Sequence, residues 1–159
     1  MSTRTPRQPT DSTPAQDGQQ LDQSVLLGLV GYNCRRAYLN IMLLVSKRMD
    51  KYELRPVDYT ILTLVNANPD ITPKRLAQAI NVSPPNLGAL LERLESRDLL
   101  ERRRNPSDKR SQVLALTAAG RTLCRKADKA IADLESEATS MLSEKERADL
   151  LRLLQKIFL

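Results

Sequence analysis

The sequence predicts a mainly α-helical chain that carries one small β-hairpin, and three observations indicate this class. After about residue 22, apolar residues recur at steps of three and four, which is the spacing of one helix face. The pairs Thr72-Pro73 and Ser83-Pro84 have the chemistry of helix starts, with a hydroxyl as cap and a proline in the first turn. From Val113 to Leu116, successive side chains are expected to point to opposite faces, as in a strand.

The N-terminal region changes character near residue 22. Residues 1–21 are rich in Pro, Ser, Thr, Gln and Asp, and such a composition does not repay the entropy of ordering, so we expect a disordered tail. From Asp22 the apolar rhythm predicts one long helix. The range 22–55 is interpreted as a dimerisation helix, because a helix of this length is expected to pack one face on another subunit. Gly28 and Gly31 lie inside it and lower its helix propensity.

Three shorter helices are expected next. One begins near Pro56 and stops before Pro69, and the other two begin at Pro73 and Pro84. Asn81 lies between the last two, where the chain must turn, and asparagine tolerates the left-handed backbone conformation that such turns use. Two capped helices separated by a turn of about three residues have the spacing of a helix-turn-helix.

The stretch after the second of these helices predicts a strand, a tip and a second strand. The tip contains Asn-Pro-Ser-Asp at residues 105–108, which is strong turn chemistry. A two-stranded hairpin directly after a helix-turn-helix is a wing. The range 56–118 is therefore interpreted as a winged helix-turn-helix domain.

Two further helices are expected after the wing. The first begins at Thr117, and Ser143 forms a capping box with Glu146 that opens the second. Both carry more apolar face than the small winged core needs, so the range 119–159 is interpreted as dimerisation helices. The predicted architecture is a winged helix-turn-helix flanked by N- and C-terminal dimerisation helices.

Composition restricts the function. The 25 Lys and Arg residues against 19 Asp and Glu give a formal charge of +6, which favours nucleic acid or an anionic membrane surface as partner. The chain has no histidine, and Cys34 and Cys124 form no CxxC pair, so neither a general base nor a zinc site is indicated. We therefore expect no enzyme, no cofactor and no metal. Without a visible targeting or membrane-spanning segment, we expect a cytoplasmic location.

The second helix of the turn motif has two different faces. One face is apolar and is expected in the core: Leu87, Leu90, Leu91 and Leu94. The opposite face is small and polar, with Pro85, Ala89, Glu92 and Ser96, flanked by Asn86 and Arg93. A helix in the major groove of DNA needs such a face, although an ordinary amphipathic surface helix has the same pattern. The adjacent basic wing favours DNA, with contacts expected from Ser83, Pro85, Asn86, Ala89 and Arg93.

The wing tip concentrates positive charge. Five basic residues lie around it: Arg102, Arg103, Arg104, Lys109 and Arg110. A narrow A·T-rich minor groove attracts an inserted arginine, whereas a solvated hairpin tip is the alternative. We expect DNA contacts from Arg103, Arg104, Asp108, Lys109 and Arg110. The expected role of Asp108 is to hold Arg110 or Arg93 in one rotamer by charge-assisted hydrogen bonds.

The segment 91–120 closely resembles the wing region of the MarR family of bacterial regulators, and the resemblance runs from Leu26 to the C-terminus. The family shows a tip with Asp-x-Arg and a strand ending in Leu-Thr-x-x-Gly, which here are Asp108, Arg110, Leu116, Thr117 and Gly120. The resemblance implies a homodimer on a pseudo-palindromic operator, with the helix from Ser83 in the major groove and Arg110 in the minor groove. It also implies a repressor that leaves DNA when a small ligand, often an aromatic acid, binds between the dimerisation and DNA-binding parts.

A block on the first helix suggests the effector. Tyr32, Arg35, Arg36 and Tyr38 lie within about two helical turns, and Tyr59 follows on the next helix. Arginine binds carboxylates bidentately and tyrosine stacks on or hydrogen-bonds a phenol, although surface or interhelix ion pairs are the commoner use of such arginines. The block resembles the first helix of MarR-type regulators of aromatic-acid catabolism. We expect an aromatic carboxylate, or its CoA thioester, bound by these five residues.

Oxidation is a different class of signal. Some members of the family sense organic peroxides through a cysteine on the first helix, and Cys34 lies on that helix. Alignment on the second helix places Gly31, not Cys34, at the reactive position, and a buried cysteine is usually a small apolar residue. Two adjacent arginines favour reactivity, so a redox regulator acting through Cys34 is the alternative.

Overall fold

The computed structural model describes residues 21–105, 108 and 110–159. Within them the elements are α1 (Ser24–Leu27), α2 (Val30–Asp50), α3 (Pro56–Ala67), α4 (Pro73–Ala79), α5 (Pro84–Ser96), β1 (Leu100–Arg104), β2 (Gln112–Leu116), α6 (Ala118–Ala138) and α7 (Glu144–Phe158). The expected tail over residues 1–21, except Leu21, lies outside the described residues. So do Pro106, Ser107 and Lys109 of the wing.

The N-terminal helical region is not continuous. The expectation of one helix from Asp22 is wrong, because α1 ends at Leu27, with Gly28 as its C-cap, and α2 starts at Val30. Glycine loses more conformational freedom in a helix than any other residue, so the chain breaks there at low cost. The side-chain amide of Asn33 donates to the carbonyls of Leu27 and Leu29, both at 2.8 Å, and satisfies backbone acceptors at the break.

The chain divides between Arg35 and Arg36 into two compact units. In the first unit, the Tyr32 hydroxyl donates to the side chain of Gln23 at 2.7 Å. The second unit contains the rest of α2, every later element and the hydrophobic core.

The core of the second unit is built from α2 to α6 and both strands. Its fully buried apolar side chains include Met49, Ile61, Leu62, Leu76, Leu91, Leu94, Leu114 and Leu134. Burying one such side chain contributes about 1.5–3 kcal/mol relative to leaving it exposed. The short helices α4 and α5 are therefore held by packing and not by their own propensity.

The two strands form an antiparallel hairpin in which Leu100 pairs with Leu116. The backbone N–H of Leu114 also donates to the carbonyl of Ile71 at 2.9 Å, which fixes β2 to the segment before α4. The base of the wing, at Leu100, Leu114 and Leu116, thus belongs to the core. These elements confirm a mainly α chain with a small β-wing.

The turn between α4 and α5 follows the predicted chemistry with one exception. The Thr72 hydroxyl accepts a hydrogen bond from the backbone N–H of Arg75, and Asn81 adopts a φ of 53° in the left-handed region. Ser83 occupies the cap position of α5, but its side chain makes no capping hydrogen bond. The expected hydroxyl cap is wrong at this helix, where Pro84 supplies the fixed φ of the first turn.

Candidate functional site

Helix α5 presents the small polar face that the sequence predicts. Leu87, Leu91 and Leu94 on its inner side are at most 2% exposed. The exposed residues at its start and outer side are Ser83, Pro85, Asn86, Ala89, Glu92 and Ser96. Side chains of this size allow a helix to approach the edges of base pairs closely.

Arg93 is partly buried and pairs with a buried carboxylate. Its guanidinium forms a salt bridge with Asp58, which is completely buried at the start of α3. Burial lowers the pKa of this guanidinium, and the positive charges of Arg55 and Arg97 lower it further. Asp58 also accepts a hydrogen bond from the backbone N–H of Arg55 at 2.7 Å. The expected pairing of Arg93 with Asp108 is therefore wrong, because a nearer buried carboxylate takes this cation.

Two more side chains hold the C-terminal end of α5. Arg97 donates to the backbone carbonyls of Tyr52 (3.2 Å) and Glu53, in the turn between α2 and α3. Glu95 accepts a hydrogen bond from Nε of Arg102 on β1 at 2.9 Å. With the buried ion pair, these contacts fix α5 relative to α3, to the preceding turn and to the wing.

The wing arginines differ in their partners. Arg102 is held by α5, and Arg103 pairs with Glu101 on its own strand. Arg104 and Arg110 are exposed, and no described carboxylate forms an ion pair with either. A guanidinium without such a partner keeps its donors available for an anion such as a DNA phosphate.

Asp108 organises the backbone of the wing tip. Its Oδ1 accepts a hydrogen bond from the backbone N–H of Arg110 at 3.0 Å, and its carbonyl accepts one from the N–H of Ser111 at 3.0 Å. The expectation that Asp108 fixes the guanidinium of Arg110 is wrong for the described tip, because its short side chain caps the main chain instead. Lys109, the remaining predicted contact, lies outside the described residues.

A pocket of about 720 Å³ lies among α2, α3, the end of α4 and α6. This volume is typical of small-molecule sites. Most of its wall is apolar and includes Ile41, Met42, Val45, Val57, Leu64 and Ile131. The described residues place no Lys or Arg in its lining.

Two of the five predicted effector residues, Tyr38 and Tyr59, line this pocket. Arg36 does not line it, because residues two apart on a helix point in different directions, and its part in effector binding stays a prediction. Tyr32 and Arg35 belong to the first unit, and their part in effector binding stays a prediction.

Tyr59 and Thr63 of the pocket wall belong to a polar cluster that also includes Asp128 and Cys124. The Tyr59 hydroxyl contacts Thr63 and Asp128, and burial is the main cause that raises its pKa. The Thr63 hydroxyl lies 3.5 Å from Asp128 Oδ1 and 3.9 Å from the sulfur of Cys124. Cys124 is completely buried, which raises the pKa of its thiol.

Sequence reasoning missed three residues of these sites. Thr63 lies four residues after Tyr59, and this helical spacing is a usable signal for one shared face. Glu135 lines the pocket one turn after Ile131 on α6. The prediction for this helix used only its apolar stripe. The sequence did not indicate a buried ion pair at Asp58, because acidic residues are common in the first turn of a helix.

Cys34 is a partly buried free thiol of the first unit. The described residues contain no group of three or more Cys, Asp or Glu side chains suited to a metal ion. Across the described ranges, no helix combines the length and apolarity needed to cross a bilayer.

Comparisons with known proteins identify the family. The model of the MarR family matches residues 54–112. The multiple antibiotic resistance protein MarR of Salmonella typhimurium is 30% identical over 115 residues, which are 72% of this chain and 80% of the relative. The chain belongs to the MarR family. It is a MarR-family transcriptional regulator, which confirms the resemblance seen in the wing motif.

Two solved structures of the repressor CouR are similar to this MarR-family chain over most of its length. CouR bound to a 23-mer DNA duplex has a TM-score of 0.82 and 34% identity, covering 87% of this chain and 99% of CouR. CouR bound to p-coumaroyl-CoA has a TM-score of 0.77 and 32% identity, covering 87% and 97%. These likenesses confirm the winged helix-turn-helix class.

Proposed function

We propose that this chain is a homodimeric repressor that binds a pseudo-palindromic DNA operator and leaves it when a small aromatic acid, or the CoA thioester of one, binds. One observation carries the proposal: the exposed polar face of α5 adjoins a wing whose Arg104 and Arg110 have no described carboxylate partner. The DNA-bound and p-coumaroyl-CoA-bound structures of CouR support the two halves of the proposal.

Helix α5 is proposed to lie in the major groove. Asn86 has an exposed amide, which both donates and accepts hydrogen bonds and so reads a base edge bidentately. Ser83, Pro85 and Ala89 are short and exposed, and they let the helix approach closely. Arg93 is left out of this contact set because its guanidinium is paired with Asp58.

The wing tip is proposed to reach the minor groove. Arg110 follows a backbone turn that Asp108 orders, so its base is fixed while its side chain is exposed. A narrow minor groove has an enhanced negative potential that attracts such a side chain. Arg104, with Arg103 and Lys109 as further predicted contacts, is positioned to meet the adjoining phosphates.

A second copy of the chain is proposed to cover the exposed apolar residues of the terminal helices. On α7, Leu150, Leu151, Leu153, Ile157 and Phe158 are 43–73% exposed. In the first unit, large apolar side chains of α1 and the start of α2 are exposed as well. Exposed apolar surface of this kind marks protein interfaces. Two-fold symmetry would place two α5 helices about 34 Å apart, which is one turn of DNA.

The pocket beside Tyr38 and Tyr59 is proposed as the effector site. Its apolar wall suits an aromatic ring, and its two tyrosines provide stacking surface. It adjoins α3, which is joined to α5 through the Asp58–Arg93 ion pair. Occupation of the pocket can therefore alter the position of the DNA-binding helix through a direct contact between elements.

Selection of bound duplexes from random DNA, followed by mobility-shift assays with p-coumarate and p-coumaroyl-CoA, tests the proposal. We expect an enriched sequence with two inverted half-sites about one helical turn apart, and release of the protein by at least one aromatic ligand. Enrichment of no sequence would contradict the DNA-binding half. A complex that no aromatic acid or thioester releases would contradict the effector half.

A further inference from the structure

We propose that Glu135 makes the pocket selective for an uncharged aromatic acyl group that bears a hydroxyl. The effector is then a hydroxyaryl thioester, and the free aromatic carboxylate is excluded. The inference rests on the proposed function as an effector-released regulator, and it concerns the chemistry that the pocket accepts.

The charges around the pocket disfavour a bound carboxylate. Glu135 lines the pocket and is partly buried, while the described residues contribute no Lys or Arg to the lining. Asp128 lies behind Thr63 and adds a second negative charge. A carboxylate brought out of water beside like charges, with no cation to pair with, is strongly disfavoured. Conversion to a thioester removes that charge and leaves the aromatic ring unchanged.

The hydrogen-bonding groups of the pocket favour a ligand that donates. Most of the hydroxyl groups in its wall already have partners within the protein. Thr60 donates to the carbonyl of Pro56 at 3.1 Å, and Tyr59 and Thr63 contact Asp128. The carboxylate of Glu135 has no ion pair or side-chain hydrogen bond among the described residues.

A phenolic hydroxyl is the group that this acceptor suits. A phenol O–H donates to a carboxylate in a short, charge-assisted hydrogen bond, which is stronger than one between neutral groups. The ring to which the hydroxyl belongs would lie against the apolar wall near Ile131, one turn before Glu135 on α6. The anionic nucleotide of a CoA thioester would stay in solvent, because the same carboxylates disfavour phosphate.

The test compares three ligands by isothermal titration calorimetry on the full chain in its native assembly: p-coumaroyl-CoA, cinnamoyl-CoA without the hydroxyl, and free p-coumarate. We expect cinnamoyl-CoA to bind roughly tenfold or more weakly than p-coumaroyl-CoA, since a hydrogen bond to a charged acceptor is lost. Free p-coumarate is expected to bind more weakly still. In Glu135→Gln, the preference for the hydroxyl shrinks and p-coumarate binds more tightly than to the wild type.

Glu137→Gln is the matched control. It makes the same charge change on the same helix, but Glu137 pairs with Arg48 and does not line the pocket. Its ligand preferences should equal those of the wild type, and if it shifts them as Glu135→Gln does, the role of Glu135 is overturned.

Three results would overturn the inference and leave the proposed function intact. They are equal binding of the two thioesters, binding of p-coumarate as tight as that of p-coumaroyl-CoA, and tighter binding of an aromatic cation such as tetraphenylphosphonium. No binding of any aromatic acid or thioester, together with no release from DNA, would instead overturn the proposed effector class and this inference with it.

Discussion

Among the described arginines of the wing, Arg104 and Arg110 are the two that form no ion pair with a described carboxylate, so their charge is the most available to an anion. Arg102 pairs with a carboxylate of α5, and Arg103 pairs with a carboxylate of β1. The donors of these two guanidinium groups are therefore partly used within the protein. Asp108 orders the backbone of the tip, since its side chain accepts a hydrogen bond from the backbone N–H of Arg110. The described arginines of the wing therefore separate into two that pair with carboxylates of the protein and two that do not.

Close packing around Gly120 explains why glycine occupies this position of the Leu-Thr-x-x-Gly motif. A Cβ at this position would lie 1.9 Å from the carbonyl oxygen of Leu99, whereas one at Gly88 on α5 would meet nothing within 4 Å. Gly120→Ala should therefore destabilise the fold by about 1–3 kcal/mol or more, measured by urea unfolding. Gly88→Ala is the control and should stabilise by about 0.5–1 kcal/mol through helix propensity. Equal effects at the two sites would contradict the close contact.

The two thiols should differ in reactivity. Cys124 is completely buried, so a reagent cannot reach its sulfur in the folded protein. Burial also raises the pKa of its thiol above the ordinary value, which disfavours the reactive thiolate. Cys34 is only partly buried. Iodoacetamide at pH 8.5, followed by mass spectrometry of peptides, should label Cys34 first and Cys124 only after unfolding in urea. Rapid labelling of Cys124 in the folded protein would contradict its position.

At the scale of elements, α5 is held by contacts that do not include the exposed face proposed to meet DNA. Arg93, Glu95 and Arg97 each bind a different neighbour, while the exposed face carries only short or polar side chains. Because of this division, residues of the exposed face can be substituted to suit another operator sequence without loss of the contacts that hold α5. It also makes the ion pair between α5 and α3 a point at which the pocket and the DNA-binding helix are joined.

Removal of one partner of this pair should be costly. Asp58→Asn leaves the Arg93 guanidinium without its buried counter-charge, so we expect a loss of about 3–5 kcal/mol of unfolding free energy and weaker operator binding. Asp149→Asn breaks the exposed pair with Arg152 and should cost at most about 1 kcal/mol. Urea unfolding measures both, and a loss at Asp58 no larger than that at Asp149 would show that the buried pair does not hold α5.

Sequence reasoning located the elements that depend on local chemistry. The caps at Thr72 and Ser143, the left-handed Asn81 and the strand before Thr117 are each specified by a few neighbouring residues, and all are present. Val113 and Leu114 are both buried, so burial does not alternate along that strand. The core face of α5 was also predictable, because helical spacing alone groups Leu87, Leu91 and Leu94.

Contacts between distant residues were not predictable in the same way. Asp58 on α3 and Arg93 on α5 are separated by the intervening helix α4 and two turns, so no local pattern joins them. Asp108 was assigned to guanidinium groups that it does not hold. The break at Gly28 depended on a balance between helix propensity and side-chain hydrogen bonds from Asn33. Arg36 does not line the same pocket as Tyr38, because proximity in sequence does not place residues on one helix face.

At the scale of the whole molecule, the exposed apolar face of α7 requires a partner if the proposed dimer is correct. Leu151→Glu combined with Ile157→Glu places two charges on that face, and a buried charge without a counter-ion is strongly unfavourable. We expect a monomer by size-exclusion chromatography with light scattering, together with loss of tight operator binding. Lys156→Glu lies on the polar face of α7 and should leave the dimer unchanged. A dimer that persists in the double variant would contradict the role of α7.

The salt dependence of operator binding tests the central claim most directly, because it counts the charged contacts that the protein makes with DNA. Dissociation constants for the selected duplex are measured over a series of salt concentrations for the wild type, Arg110→Ala and the control Arg125→Ala, an exposed arginine on α6. The account predicts weaker binding by Arg110→Ala and a salt slope reduced by about one unit, with the control unchanged. An affinity and a slope for Arg110→Ala equal to those of the wild type would contradict it.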